Sequence, residues 1–291
     1  MRFIFLLLAA SPVLAASNKI YQWDHAGVAH FSSTPRPKGY YGESLKVGAL
    51  TVAIKRPKDK LLGKLPAVVV VGAGFEPPEP ARPMVLAYFE APYQPLLSGT
   101  AWGLLMSAGK LKSASRETSE AVAGIAAALR TRPDVEGGRL CVAGVGSGVP
   151  FALRAAADDP SISCLILVQG FDEVAEAAAH RLRSQGSWRP TAWVVSRLLR
   201  TFAGPPRPLR EIARLRKDLP VLFLEAQDEV FVPASARDGL WEGLKNAGIQ
   251  ADRVTLKGQG DLGAPPAPLL KEASETVGAW LAKTPHPLAR K

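Results

Sequence analysis

The stretch Cys141–Pro150, CVAGVGSGVP, decides the fold. An apolar run through Leu140, Cys141, Val142 and Ala143 gives way to three glycines, Gly144, Gly146 and Gly148, and Pro150 then opens a second apolar run, PFALRAAA. A strand that turns sharply into a helix has this form. Glycine enters the left-handed backbone of a tight turn without steric cost, and proline is tolerated in a helix's first turn, where its missing N–H leaves nothing unsatisfied. What the turn can do depends on whether Gly146 or Ser147 stands at its apex. Ser147 also fits as the N-cap of a helix beginning at Gly148, because its hydroxyl can accept a bond from an early helical N–H.

On either side, short apolar runs alternate with helical periodicity. Strands are expected at LTVAIKRP (50–57), AVVVVGAG (67–74), MVLAYFEAP (84–92), CLILVQG (164–170), PVLFLEAQD (220–228) and DRVTLKG (252–258). Helices are expected over Ser115–Arg130, with Val122, Ile125, Ala126 and Leu129 on one face, and over 150–157, 234–247 and 269–281. Alternation of this kind predicts an α/β domain, a mostly parallel sheet covered by helices on both faces.

The chain has 291 residues and is 47% hydrophobic, enough for one large domain with a small appendage. Residues 1–16 fit a signal peptide: Arg2 precedes an apolar run that ends in Val13-Leu14-Ala15. That run is shorter than the roughly 20 residues a membrane span needs. The expectation is therefore an exported protein, periplasmic or bound to the cell envelope, with no transmembrane helix after cleavage. Residues 17–37 read as a small β module, a hairpin whose strands pass through Tyr21 and Trp23 and through Val28 and Phe31. A linker is expected over 38–49, the main domain over 50–283 and a tail over 284–291.

Cys141 and Cys164 are too few for a metal cluster, and two readings stay open: a disulfide across neighbouring strands or two buried thiols. The net charge of +10 is concentrated in one place. Between His180 and Lys217 stand nine arginines and one lysine against the single acid Glu211, a net of +9. This segment belongs to an insertion at 172–217, expected to form a basic helical cap in which Trp193, Val194, Leu198 and Phe202 make an apolar side beside Arg197 and Arg200. Such a charge suits an anionic partner. Nucleic acid is not expected, since no ladder of stacking aromatics accompanies the arginines.

No cofactor is expected. VVVVGAGF resembles the opening of a dinucleotide site, but Pro77, Pro78 and Pro80 follow where a helix should offer its amides to phosphate. GVGSGV lacks the last glycine, and Gln169 stands at the end of the next strand in place of an acid.

Two resemblances add to this. Tyr21, Trp23, Gly27, His30, Phe31, Ser32 and Pro35 resemble the pattern of domain of unknown function 4124, which implies an envelope location. The order of three loops, CVAGVGSGV, LFLEAQDEVFVP and VTLKGQGDL, resembles the α/β-hydrolase superfamily, particularly its dienelactone hydrolase and acyl-thioesterase-like branch, over roughly residues 45–283. The resemblance implies a nucleophile elbow flanked by Gly144 and Gly148, an acid at Asp228, a histidine position at Asp261 and an oxyanion loop at Gly72-Ala73-Gly74. It also places Gly146 at the nucleophile position. Glycine offers no nucleophile, and a carboxylate at Asp261 does not replace an imidazole near neutral pH.

The expected function is thus a catalytically impaired hydrolase-like envelope protein. It would bind a small ligand or an anionic envelope component through Gly72, Ala73, Gly74, Ser147, Arg197 and Arg200. The alternative is a weak serine esterase or thioesterase using Ser147, with Asp228, Asp261 or His180 in support.

Overall fold

The computed structural model describes residues 39–48, 50–58, 63–72, 80, 83–89, 91–92, 101–184, 186–202, 206–229, 232–260 and 267–284, and side chains at 101–109, 181, 202, 259, 260 and 267 are excepted. All of these belong to the unit Arg36–Lys291. The signal segment, the small β module and the tail after Thr284 lie outside them.

Eight strands form one sheet: β1 Tyr40–Val47, β2 Leu50–Pro57, β3 Leu65–Val71, β4 Val85–Tyr88, β5 Val135–Val145, β6 Ile162–Val168, β7 Val221–Glu229 and β8 Ala251–Gly260. Their order across the sheet is β1-β2-β4-β3-β5-β6-β7-β8. β1 pairs antiparallel with β2, and β2 antiparallel with β4. Every other pairing is parallel. The helices are α1 Ala101–Arg130, α2 Val149–Asp158, α3 Val174–Ser184, α4 Arg189–Phe202, α5 Pro208–Ile212, α6 Ala234–Asn246 and α7 Ala267–Lys283, and a 3₁₀ turn at Gly146–Gly148 leads into α2.

Successive strand residues point to opposite faces, and this divides the core in two. Val69, Val71, Val142, Leu165, Leu167 and Phe223 pack with α1, α2, α3, α4 and α6 on the first face. Val68, Val70, Ala143, Val145, Ile166 and Val168 face the second, covered among the described residues by Leu269, Ala273 and Leu281 of α7. Burial on both faces explains why the central strands are continuous apolar runs in the sequence. In β5 and β6, Cys141 lies opposite Cys164 with Cα atoms 4.7 Å apart, and their sulfurs are bonded.

Three expectations are corrected. The linker 38–49 contains a strand, because Leu45 and Val47 alternate with polar residues and pack on the first-face core. The helix expected from Ser115 begins at Ala101; Gly103 and Gly109 weaken helical propensity over its first turns and hide it in the sequence. The insertion at 172–217 folds into α3, α4 and α5, but α4 turns a different stripe inward. Ala192, Val195 and Leu199 are buried, whereas Trp193 and Val194 are exposed and Leu198 is half-buried; the Phe202 side chain is not described. The stripe of largest side chains suggested the wrong face, since a small residue such as Ala192 lets two helices approach closely.

At the amino edge, Arg132 bridges Glu43 of β1 (2.6 Å) and Asp134 (2.8 Å), which also accepts from Arg56 of β2 at 3.3 Å. The Arg132 hydrogen bond holds the Asp134 carboxyl below its usual range. Among the described residues no helix is long and apolar enough to cross a membrane.

Candidate functional site

The strand order turns back on itself between β3 and β5, and in open parallel sheets a crevice forms at such a point beyond the strands' carboxyl ends. Here β3 ends in Val71 and Gly72, and β5 runs into the Gly146–Gly148 turn. The apex is Gly146, with φ +50°, the left-handed region that glycine enters freely. Its neighbours fix this register. A Cβ on Gly144 would lie 2.7 Å from Val149 Cα and 2.8 Å from the Ala152 Cβ. A Cβ on Gly148 would overlap the Val71 carbonyl, and one on Gly72 would lie 2.5 Å from Val145 O and 2.6 Å from Gly148 N. Gly72, Gly144 and Gly148 thus bring β3, β5 and α2 into backbone contact, and Gly146, at the tip of the turn, has the left-handed conformation of an elbow apex.

Ser147 is half-buried inside the 3₁₀ turn, one residue past the apex. The N-cap of α2 is Gly148, with no side-chain capping bond, so the expected capping role of Ser147 is not realised. A hydroxyl within the turn is too early in the chain to reach the first amides of α2 as a cap does.

The adjacent strand adds a group that the sequence did not single out. Val145 and Val168 are register partners, so Gly146 and Gln169 leave the sheet side by side. Gln169 is the one described non-glycine residue at positive φ (+53°), and it is buried, 1% exposed. Its backbone N–H donates to Leu224 O at 2.8 Å. Its side-chain Nε2 donates to Glu229 Oε2 at 3.0 Å, which fixes the amide's orientation, and Oε1 is buried without a hydrogen-bond partner. Strained backbone and an unsatisfied buried acceptor each cost of the order of 1–3 kcal/mol, and such features gather at functional sites.

Glu229, at the end of β7, also accepts from the backbone N–H of Val232 at 3.3 Å. Asp228, the expected acid, is exposed. Alongside, between Ala226 and Asp228 on β7, β8 runs from Leu256 to Gln259, one residue longer, with Gly258 at φ +120°. On β7 it is Glu229, not its neighbour Asp228, that is joined to Gln169. Asp261, Ala73 and Gly74 lie outside the described residues; Gly72 stands against Val145 and Gly148 of the elbow.

Val68, Val70, Val145, Ile166, Val168 and Val277 line an apolar cavity of about 100 Å³ between the second face and α7. Val145 and Val168 are the residues immediately before Gly146 and Gln169, which themselves do not line it. The two arginines expected to bind have partners of their own. Arg200 is held by Glu173 through two bonds of 2.5 and 2.9 Å, and Arg197 lies over the Trp193 ring. His180 is carried on α3. Among the described residues no group of three or more His, Cys, Asp or Glu could hold a metal ion.

The sheet order, the elbow after β5 and the crevice at the switch point define a protein with the α/β-hydrolase fold. Solved structures agree. The chain is similar to an acylaminoacyl peptidase of Pyrococcus horikoshii, at 14% identity over 85% of this chain and 42% of the peptidase, with a TM-score of 0.59. It is similar to a protein assigned as a dienelactone hydrolase from Klebsiella pneumoniae, at 13% identity over 84% of this chain and 99% of the other, with a TM-score of 0.57. A 2,6-dihydroxy-pseudo-oxynicotine hydrolase is 17% identical over 83% of this chain and 67% of its own, with a TM-score of 0.54. The chain spans less than half the length of the peptidases it matches. Residues 5–60 match the model of Domain of unknown function DUF4124, which therefore runs beyond the module expected at 17–37 and takes in β1 and β2. None of the curated proteins matches the chain.

Proposed function

We propose that this is an exported, catalytically impaired α/β-hydrolase-like protein that binds a small ligand in the crevice beside its elbow. The observation that carries the reading is Gly146 at the apex, in the left-handed conformation and locked in register by Gly144 and Gly148. Acyl transfer needs an oxygen or sulfur nucleophile there and a base within hydrogen-bond reach. Gly146 supplies no nucleophile, and among the described residues the neighbouring carboxylate of Glu229 is occupied by the Gln169 amide and the Val232 N–H. Beside the elbow, Gln169 gives its amide N–H to Glu229 and keeps Oε1 buried with no hydrogen-bond partner among the described residues, and an apolar cavity lies between the second sheet face and α7. This combination suits a ligand with a hydrogen-bond donor on an apolar body.

The test is fluorophosphonate labelling and ester turnover by the purified chain, alongside Ser147→Ala and Gly146→Ser with Asp261→His. The expected result is no labelling in the first two proteins and labelling at position 146 in the third. Labelling of the unaltered protein at Ser147, with ester turnover that disappears in Ser147→Ala, would replace this reading with the weak esterase.

A further inference from the structure

We propose that the outer face of α4 docks on an anionic lipid surface. The helix buries Ala192, Val195 and Leu199 against the domain, and the opposite side carries Arg189, Trp193, Val194, Arg197 and Arg200 at helical spacing. Trp193 is 64% exposed, Val194 41%, and Trp188, just before the helix, 75%. Two tryptophans this open to solvent on one short segment do no packing work for the fold, while the ring's amphipathic character suits the headgroup level of a bilayer.

The charge fits the same partner. The segment from His180 to Lys217 has a net charge of +9. Its one acid, Glu211, is buried and bound by Arg214, and the nearby Glu173 is taken up by Arg200. Arg183, Arg189, Arg197, Arg207 and Arg210 are exposed, and none forms an ion pair with a described acid. The Arg197 guanidinium lies 6.0 Å from the centroid of Trp193, so a cation and an aromatic edge are presented together. A helix with this arrangement lies in the interface plane, its aromatic residues entering the headgroup boundary while its arginines meet lipid phosphates. An acidic protein would satisfy the charges but gives no reason for tryptophans standing out of the surface.

The inference names the anionic envelope partner and rests on the reading above only for export; whether the elbow is inert does not enter it. The experiment is co-sedimentation of the purified full chain with phosphatidylcholine vesicles, with and without phosphatidylglycerol, read together with tryptophan emission. Binding is expected only with phosphatidylglycerol, with a blue-shifted emission and a loss of affinity as salt is raised. Arg189→Gln and Arg197→Gln should each weaken it roughly five-fold. Trp188→Ser with Trp193→Ser should abolish it while leaving the melting temperature unchanged, because neither ring is buried. No binding to phosphatidylglycerol vesicles, or binding that survives the double tryptophan variant, would overturn the proposal. Binding to polyglutamate but not to vesicles would overturn it in favour of an acidic protein. Each result stands apart from the labelling experiment, which reads position 146 and not the lipid face.

Discussion

Reducing the Cys141–Cys164 disulfide should lower the protein's stability by an amount that follows from its place in the chain. The bond joins neighbouring parallel strands in the second-face core and closes a loop across a sequence separation of 23 residues, containing the elbow, α2 and the start of β6. In the chain-entropy treatment, a loop of this length restricts the unfolded ensemble by about 3.4 kcal/mol at 25 °C. For a domain of this size that corresponds to a fall of about 7–14 °C in melting temperature. Both sulfurs are buried, so reductant should act slowly on the folded protein and faster on a partly denatured one. The assay is differential scanning calorimetry of the oxidised protein, of protein unfolded and refolded in dithiothreitol, and of Cys141→Ala with Cys164→Ala, with alkylation and intact mass to count free thiols. Identical melting temperatures in the first two samples, or two alkylated cysteines in protein never exposed to reductant, would refute the reasoning. The outcome bears on location as well, since a structural disulfide persists in an oxidising compartment.

Gly148→Ala should destabilise the fold by about 3 kcal/mol, because its Cβ would overlap the Val71 carbonyl; Gly186→Ala, at φ +82° with nothing within 4 Å, should cost only about 1 kcal/mol, and urea melts of the two separate collision from backbone strain. Glu225→Gln should cost about 2 kcal/mol by the same measurement: Glu225 is a buried carboxylate on β7 that accepts two bonds from Arg253 (2.9 and 2.8 Å), one from Thr255 at 3.1 Å and one from Arg237 at 3.4 Å. Burial, then the charges of Glu176 and Glu173, raise the Asp172 carboxyl above its ordinary value. A group raised in the folded state holds its proton more tightly there, so stability falls as pH rises from the unfolded value near 3.8 through the folded one. Asp172→Asn should therefore raise the melting temperature at neutral pH, with the gain vanishing as pH drops below 3.8, and a pH series of thermal melts would detect the opposite sign.

Much of the fold was legible because its strongest signals are local. The central strands read as apolar runs since both their faces are covered, and the turn after β5 was marked by three glycines, of which packing leaves no alternative at Gly144 and Gly148 while Gly146 has positive φ. Features decided by tertiary context were not legible. The inward stripe of α4 could not be told from its outer one, because apolar side chains stand on both: Val195 and Leu199 inside, Trp193 and Val194 outside. Nor could the sequence join Glu229 to Gln169, since the two stand 60 residues apart and meet only through the fold. Gln169 was visible only as a residue that spoke against a nucleotide site, because nothing in a sequence marks a glutamine as left-handed, buried and half-satisfied.

These features also explain how a turn of this kind can hold its shape without a nucleophile at its apex. The close approaches that define it belong to Gly72, Gly144 and Gly148, where any Cβ would strike backbone or a neighbouring helix. The apex contributes a conformation, and glycine adopts that conformation more readily than any nucleophilic residue does. Replacing a reactive residue by Gly146 would therefore relieve about 1–2 kcal/mol of backbone strain while leaving the contacts of β3, β5 and α2 in place. Strain in the crevice is found one strand away, at Gln169, which has no such freedom and keeps its positive φ beside a buried acceptor. A protein maintained for stability alone has no evident use for that residue in that state. On the proposed reading, the strained residue beside the elbow is Gln169 and not the apex, which suits a site that binds a ligand next to an unreactive Gly146.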